Sequence, residues 1–181
     1  VLKQAFCHRY GWVLQQLLTV AFVAASQSAA VLVLDADTIL MRQRVFVSGK
    51  QQVLMPSLEN HQPYFEFLRS LDPRLNSTAN SYVSHHMVQQ PEVLRSILNE
   101  FCGGSFDSLL LQVARSSLAK SESPLCVDYE LYAQGLKTLF PERVVAAKWS
   151  NVSWKRSEFS DSLLKDLSRH YCSVSLHDHL G

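Results

Sequence analysis

The apolar run Val31-Leu-Val-Leu34 stops abruptly at Asp35-Ala-Asp37, and this junction constrains the chain more than any other stretch. Four consecutive apolar residues without polar alternation suit a strand buried on both faces, as in the middle of a parallel sheet covered by helices. Ligands bind beyond the C-terminal ends of such strands. Side chains on an extended segment repeat every second residue, so Asp35 and Asp37 are expected on one side, with the small Ala36 leaving room between them. Two hard oxygen ligands so placed suit Mg²⁺ or Mn²⁺. The plainer reading of the same residues is a strand-to-turn transition in which aspartates bond the backbone.

The rest of the chain has to enclose this strand. With 181 residues, 47% of them hydrophobic and 18% charged, the sequence is ordinary for one domain with a real core. A formal net charge of +1, with Lys and Arg scattered, gives no basic surplus to suggest a nucleic-acid partner. Cys7, Cys102, Cys126 and Cys172 form no CxxC pair, so neither a zinc ribbon nor a dense disulfide framework is indicated. Asn76-Ser-Thr and Asn151-Val-Ser are glycosylation sequons that matter only in a secretory compartment, and a cytoplasmic or a Golgi-lumenal location both fit. The longest apolar stretch, residues 17–25, falls short of the roughly 20 residues that a membrane span needs. The chain opens at Val1 with no signal-peptide pattern, so it reads as a fragment.

Hydrophobic periodicity predicts helices over residues 10–25, 63–71, 91–101, 106–119, 127–140 and 159–170. Pro63 and Pro91 open two of them, Gly103-Gly104 follows the third, and Ser160 is a candidate cap for the last. Strands are expected at 30–34, 45–47, 52–55, 82–88, 144–147 and 172–176. Mixed strands and helices without an internal repeat argue for an α/β fold. The last strand stops at His177-Asp-His179, where either imidazole could complete a coordination sphere begun by the two aspartates. A terminal His-x-His is otherwise usually solvent-exposed.

Several segments, taken in order, carry a resemblance that covers nearly the whole chain. Arg9-Tyr-Gly-Trp12 with Gln15-Gln-Leu-Leu18, Val31 to Thr38, Ser84-His-His-Met87, Asp128-Tyr-Glu-Leu-Tyr132 and Ser175-Leu-His177 resemble a family of glycosyltransferase-like domains, many of them of unknown function. In the wider class of nucleotide-sugar transferases with the GT-A fold, an Asp-x-Asp at a strand end binds the divalent ion that bridges the donor diphosphate. The resemblance implies a GT-A-like mixed sheet flanked by helices, with Asp35 and Asp37 in that role and His177 or His179 as the additional ligand. Mn²⁺ or Mg²⁺ is the cofactor it implies, and the partners are a nucleotide-sugar donor and a glycan or other hydroxyl acceptor.

Glycosyl transfer builds negative charge on the departing diphosphate, which a fixed dication offsets. Ser84, His85 and His86 lie where such a fold places residues touching a sugar, and hydroxyl and imidazole groups suit a polyol; they fit equally a strand end with partly buried histidines. An inverting transferase also needs a carboxylate to take the acceptor proton, for which Glu130 is the first candidate and Asp128 the second. Both stand near the start of a predicted helix, where carboxylates are favoured in any case. Trp149 and Trp154 could stack on sugar rings, although such aromatic residues are more often core or rim.

One departure bears on activity. A complete domain of this kind places a nucleotide-holding βαβ portion of roughly a hundred residues before the Asp-x-Asp strand, whereas here 34 residues precede Asp35. The chain is therefore expected to be a single, partial domain lacking its N-terminal nucleotide-binding portion. Two rivals follow. A haloacid-dehalogenase-like phosphatase also ends a strand in Asp-x-Asp and uses the first carboxylate as a nucleophile, but Thr38-Ile39 places the threonine one position early and no later acidic pair follows an apolar strand. The other rival is a non-catalytic carbohydrate-binding remnant of a transferase.

Overall fold

The computed structural model describes residues 10–57, 61–75, 81–119, 127–148 and 150–178. The chain is mixed α/β. Its helices are α1 (Tyr10–Ala25), α2 (Gln62–Leu71), α3 (Pro91–Phe101), α4 (Phe106–Ala119), α5 (Tyr129–Leu139) and α6 (Asp161–His170). Its strands are β1 (Val31–Leu34), β2 (Thr38–Leu40), β3 (Val47–Ser48), β4 (Gln51–Leu54), β5 (His86–Gln89), β6 (Val144–Ala146), β7 (Asn151–Lys155) and β8 (Ser173–His177).

Local chemistry accounts for the helix ends. Pro91 opens α3, where its missing N–H costs nothing. At the other end Cys102 and Gly104 return their N–H groups to the carbonyl of Leu98, a closure that needs the left-handed backbone of Gly103 and Gly104, φ 75° and 85°. Ser160 caps α6 by accepting from the Leu163 N–H, as its sequence position predicts.

Among the described residues the strands form three small sheets. β1 pairs antiparallel with β5, β8 lies between antiparallel β2 and parallel β7, and β4 lies between antiparallel β3 and parallel β6. The expectation of a first strand buried on both faces is therefore corrected. Among the described residues no strand pairs with the second edge of β1, and Leu32 and Leu34 remain 42% and 41% exposed. They share an apolar groove with Leu18 and Phe22 of α1, which are also exposed.

Most of the core lies between α1, α3 and α5, where Val13, Leu17, Val20, Leu94, Ile97, Leu131, Tyr132 and Leu136 are buried together. A buried polar network ties this core to the sheets. The Tyr132 hydroxyl donates to Gln52 of β4 and accepts from the Gln90 N–H, and the Gln52 amide donates to the Val88 carbonyl of β5. A second cluster gathers Leu167, Val174 and Leu176, with Trp154 partly buried against it. Trp149 lies outside the described residues. No described helix is long and apolar enough to cross a membrane.

Candidate functional site

The β1–β5 ladder positions the first carboxylate. The Asp35 N–H donates to the His85 carbonyl, extending the ladder one step past Leu34, and the Thr38 N–H then donates to the Asp35 carbonyl to close a turn. Asp35 and Asp37 thus stand at the turn that follows the strand. They line one cleft, of about 730 Å³, because the Leu176 N–H donates to the Asp37 carbonyl and clamps the turn onto β8. That volume suits a small-molecule ligand. β8 runs one residue further than predicted, so His177 is its last residue and reaches the same cleft.

Two carboxylate–imidazole pairs result. His85 Nδ1 lies 3.1 Å from Asp35 Oδ2, His177 Nδ1 lies 3.3 Å from Asp37 Oδ2, and the two rings are 5.7 Å apart. His85 adopts φ 62°, a left-handed backbone that a non-glycine residue holds at a cost of about 1–2 kcal/mol. Such strain concentrates at functional sites. The second oxygen of Asp35 accepts from the Tyr129 hydroxyl at 2.7 Å, which ties α5 to the turn. Arg156 brings a guanidinium to the same cleft and pairs with Asp178 at 3.2 Å.

The other expected site residues separate. Ser84 is buried, with its hydroxyl donating to the His86 carbonyl. His86 is 1% exposed and packs edge-on against Phe46. Burial first, and the nearby Arg44 charge second, push its pKa down to about 4. Of the predicted sugar-contacting trio, only His85 lines the cleft.

Glu130, the first candidate for a base, also lies away from the cleft. It is fully buried, with one oxygen accepting from the Ser81 hydroxyl and the Tyr82 N–H and the other from the Gln134 amide. Burial raises its pKa. Its role is to hold the 81–82 segment against α5. Asp128, two residues earlier, caps α5 by accepting from the Tyr129 N–H and does line the cleft. His179 lies outside the described residues.

As donors for a hard divalent cation, two carboxylates and an imidazole are of the right chemistry. Among the described residues no group of three or more such side chains is already gathered around a common centre, since each aspartate is turned toward a histidine. The sequence reading missed Arg156, Tyr129 and Gln16, which also lines this cleft. The first two sit in motifs whose obvious feature is a neighbour: Trp154 for one, Glu130 for the other. No protein family matches the chain, and no curated protein is significantly similar to it.

Proposed function

We propose that the chain is a metal-dependent glycosyltransferase-like domain of GT-A type, acting on a nucleotide-diphosphate sugar and a hydroxyl acceptor. The observation that carries this reading is the convergence of Asp35, Asp37, His177 and Arg156 on one cleft at the C-terminal end of β1. Asp35, Asp37 and His177 would hold Mn²⁺ or Mg²⁺, which supplies positive charge against the departing diphosphate. Arg156 adds a cationic fork suited to phosphate oxygens. Tyr129 holds Asp35 in orientation through its hydroxyl.

Asp128 takes the place first given to Glu130, since it is the residue of that pair that lines the cleft. In an inverting transfer it accepts the acceptor hydroxyl proton while that oxygen bonds the anomeric carbon and the bond to the diphosphate breaks. Calorimetric titration with Mn²⁺ and uridine or guanosine diphosphate, followed by turnover on a panel of sugar nucleotides, tests the reading. Nucleotide-dependent Mn²⁺ binding is the expected result. Hydrolysis of simple phosphate esters with no action on any sugar nucleotide would overturn it in favour of a phosphatase.

A further inference from the structure

His85, by sequence a candidate sugar contact, stands in the structure among the donors for an ion. Its Nδ1 faces Asp35 Oδ2 at 3.1 Å in the same way that His177 Nδ1 faces Asp37 Oδ2 at 3.3 Å. These contacts lie at and beyond the long end of the usual N–H···O range, about 2.7–3.2 Å. Both fall within the roughly 2.8–3.6 Å that separates neighbouring donors on one ion, for bonds of about 2.0–2.2 Å at octahedral to tetrahedral angles. The two rings are 5.7 Å apart, close to the roughly 4.5–5.5 Å between the centres of two imidazoles that share an ion. The backbone sets the first pair, because the Asp35 N–H donates to the His85 carbonyl at the end of the β1–β5 ladder. All four side chains line the cleft and are partly exposed, between 15% and 33%, so an ion in the cleft can reach them.

We infer that His85 is a fourth protein ligand of the divalent ion, and that two imidazoles beside two carboxylates select a first-row transition metal over Mg²⁺. This rests on the metal-site reading above and adds to it a ligand and a class of ion. Whatever makes His177 a ligand through its place beside Asp37 applies equally to His85 beside Asp35. Among the described residues the four donors stand as two pairs and are not gathered around one centre, so each aspartate has to turn from its imidazole toward the shared ion. Donor type then decides the metal. Imidazole nitrogen is bound more strongly along the series from Mn²⁺ to Co²⁺ and beyond, whereas Mg²⁺ prefers oxygen and retains several waters.

The test uses the whole chain with Co²⁺, Mn²⁺ and Mg²⁺ in turn, each in the presence of uridine diphosphate. His85→Gly removes the ring and takes the backbone φ of 62° without strain. Should the glycine variant not fold, His85→Asn also tolerates a left-handed backbone. Calorimetry is expected to show Co²⁺ affinity falling by about tenfold or more, Mn²⁺ falling less, and Mg²⁺ staying within about twofold. Pulsed electron paramagnetic resonance of the bound Mn²⁺ reads coordinated imidazole nitrogens directly, and the wild-type count of two is expected to drop to one in the variant. A count that the variant leaves unchanged, or an equal change in affinity for all three ions, overturns the assignment while leaving the transferase reading in place. Failure of the wild-type chain to bind any of these ions with the diphosphate overturns both.

Discussion

His177 Nδ1 lies 3.3 Å from Asp37 Oδ2, so a residue at the end of the last described strand meets the carboxylate at the turn after the first. The contact is set by backbone geometry, because the Leu176 N–H donates to the Asp37 carbonyl one residue before His177. If this pair opens onto a divalent ion, Asp37→Asn keeps the shape and removes the charge. The expected outcome is loss of Mn²⁺ binding in the presence of a nucleoside diphosphate, with an unchanged melting profile, read by calorimetry and circular dichroism. Unaltered binding would remove Asp37 from the site.

Tyr129 acts on the same centre from α5, through the hydroxyl it gives to Asp35. Tyr129→Phe removes that single donor and leaves the ring in the core, where Tyr129 is buried. Mn²⁺ affinity is expected to fall about tenfold, as when a group orienting a metal ligand is deleted. A stability loss near 1 kcal/mol should accompany it. A stability loss without any change in affinity would make the contact purely structural.

Glu130 gives the opposite expectation. Glu130→Ala strands the Tyr82 N–H and leaves Ser81 and Gln134 without their shared acceptor, at a cost of about 3 kcal/mol or more. Glu130→Gln retains one oxygen for Tyr82, and Gln134 can turn its amide to meet the new one, so about 1 kcal/mol is expected. Neither variant should alter Mn²⁺ affinity once folded. Burial raises the Glu130 pKa above its ordinary 4.5, so its contribution favours the fold below that value and is lost as pH rises through the folded pKa. Chemical denaturation at several pH values measures both effects, and a Glu130→Gln variant that folds fully yet loses nucleotide binding would restore a cleft role.

His86 acts with the other sign. Its folded pKa, about 4 against an ordinary 6.5, means that the unfolded chain takes up a proton as pH falls while the fold does not. Stability from this residue is complete above 6.5 and declines as pH drops toward 4, by at most about 3 kcal/mol. Arg44 and His85 act in this direction, and Asp35 and a hydrogen bond with the Ser84 backbone act against it. His86→Leu should flatten the loss between pH 6.5 and 4 and leave neutral stability equal or higher, since a buried polar ring gives way to an apolar side chain. An unchanged acid limb in denaturant titrations would show that His86 finds a way to stay solvated.

The parts of this fold that were legible in the sequence are those written by local chemistry. Pro91, Gly103 and Ser160 mark helix ends through their own backbone or hydroxyl, and the structure honours each. Asp35 and Asp37 were legible as a pair for the same reason. β2 and β7 were not, because Thr38–Leu40 and Asn151–Lys155 are strands only by pairing with β8, which no local pattern announces. The apolar run of β1 looks doubly buried, yet the number of partners a strand acquires is a property of topology. The sequence put Glu130 ahead of Asp128, and what reverses the order is Ser81 and Tyr82, brought from a distant segment to hold the Glu130 carboxylate in the interior while Asp128 lines the cleft.

Gly135 shows how tightly α5 carries its half of the site against α3. A Cβ there would stand 2.6 Å from Ile97 Cγ1 and 2.9 Å from Cγ2, inside contact distance of a β-branched side chain that is fully buried. Two effects compete in Gly135→Ala. Alanine favours a helix interior by about 1 kcal/mol over glycine, while overpacking a dense core costs about 1–3 kcal/mol. Ile97 cannot swing aside, because both branches of its Cβ lie against the new methyl group, so the overpacking term should win. The expected outcome is a net loss of about 1–2 kcal/mol in urea denaturation, and in the double variant with Ile97→Ala, which removes all three contacting atoms, a combined loss smaller than the sum of the two single losses. A stabilised Gly135→Ala variant would show that the α3–α5 contact yields more readily than its distances imply.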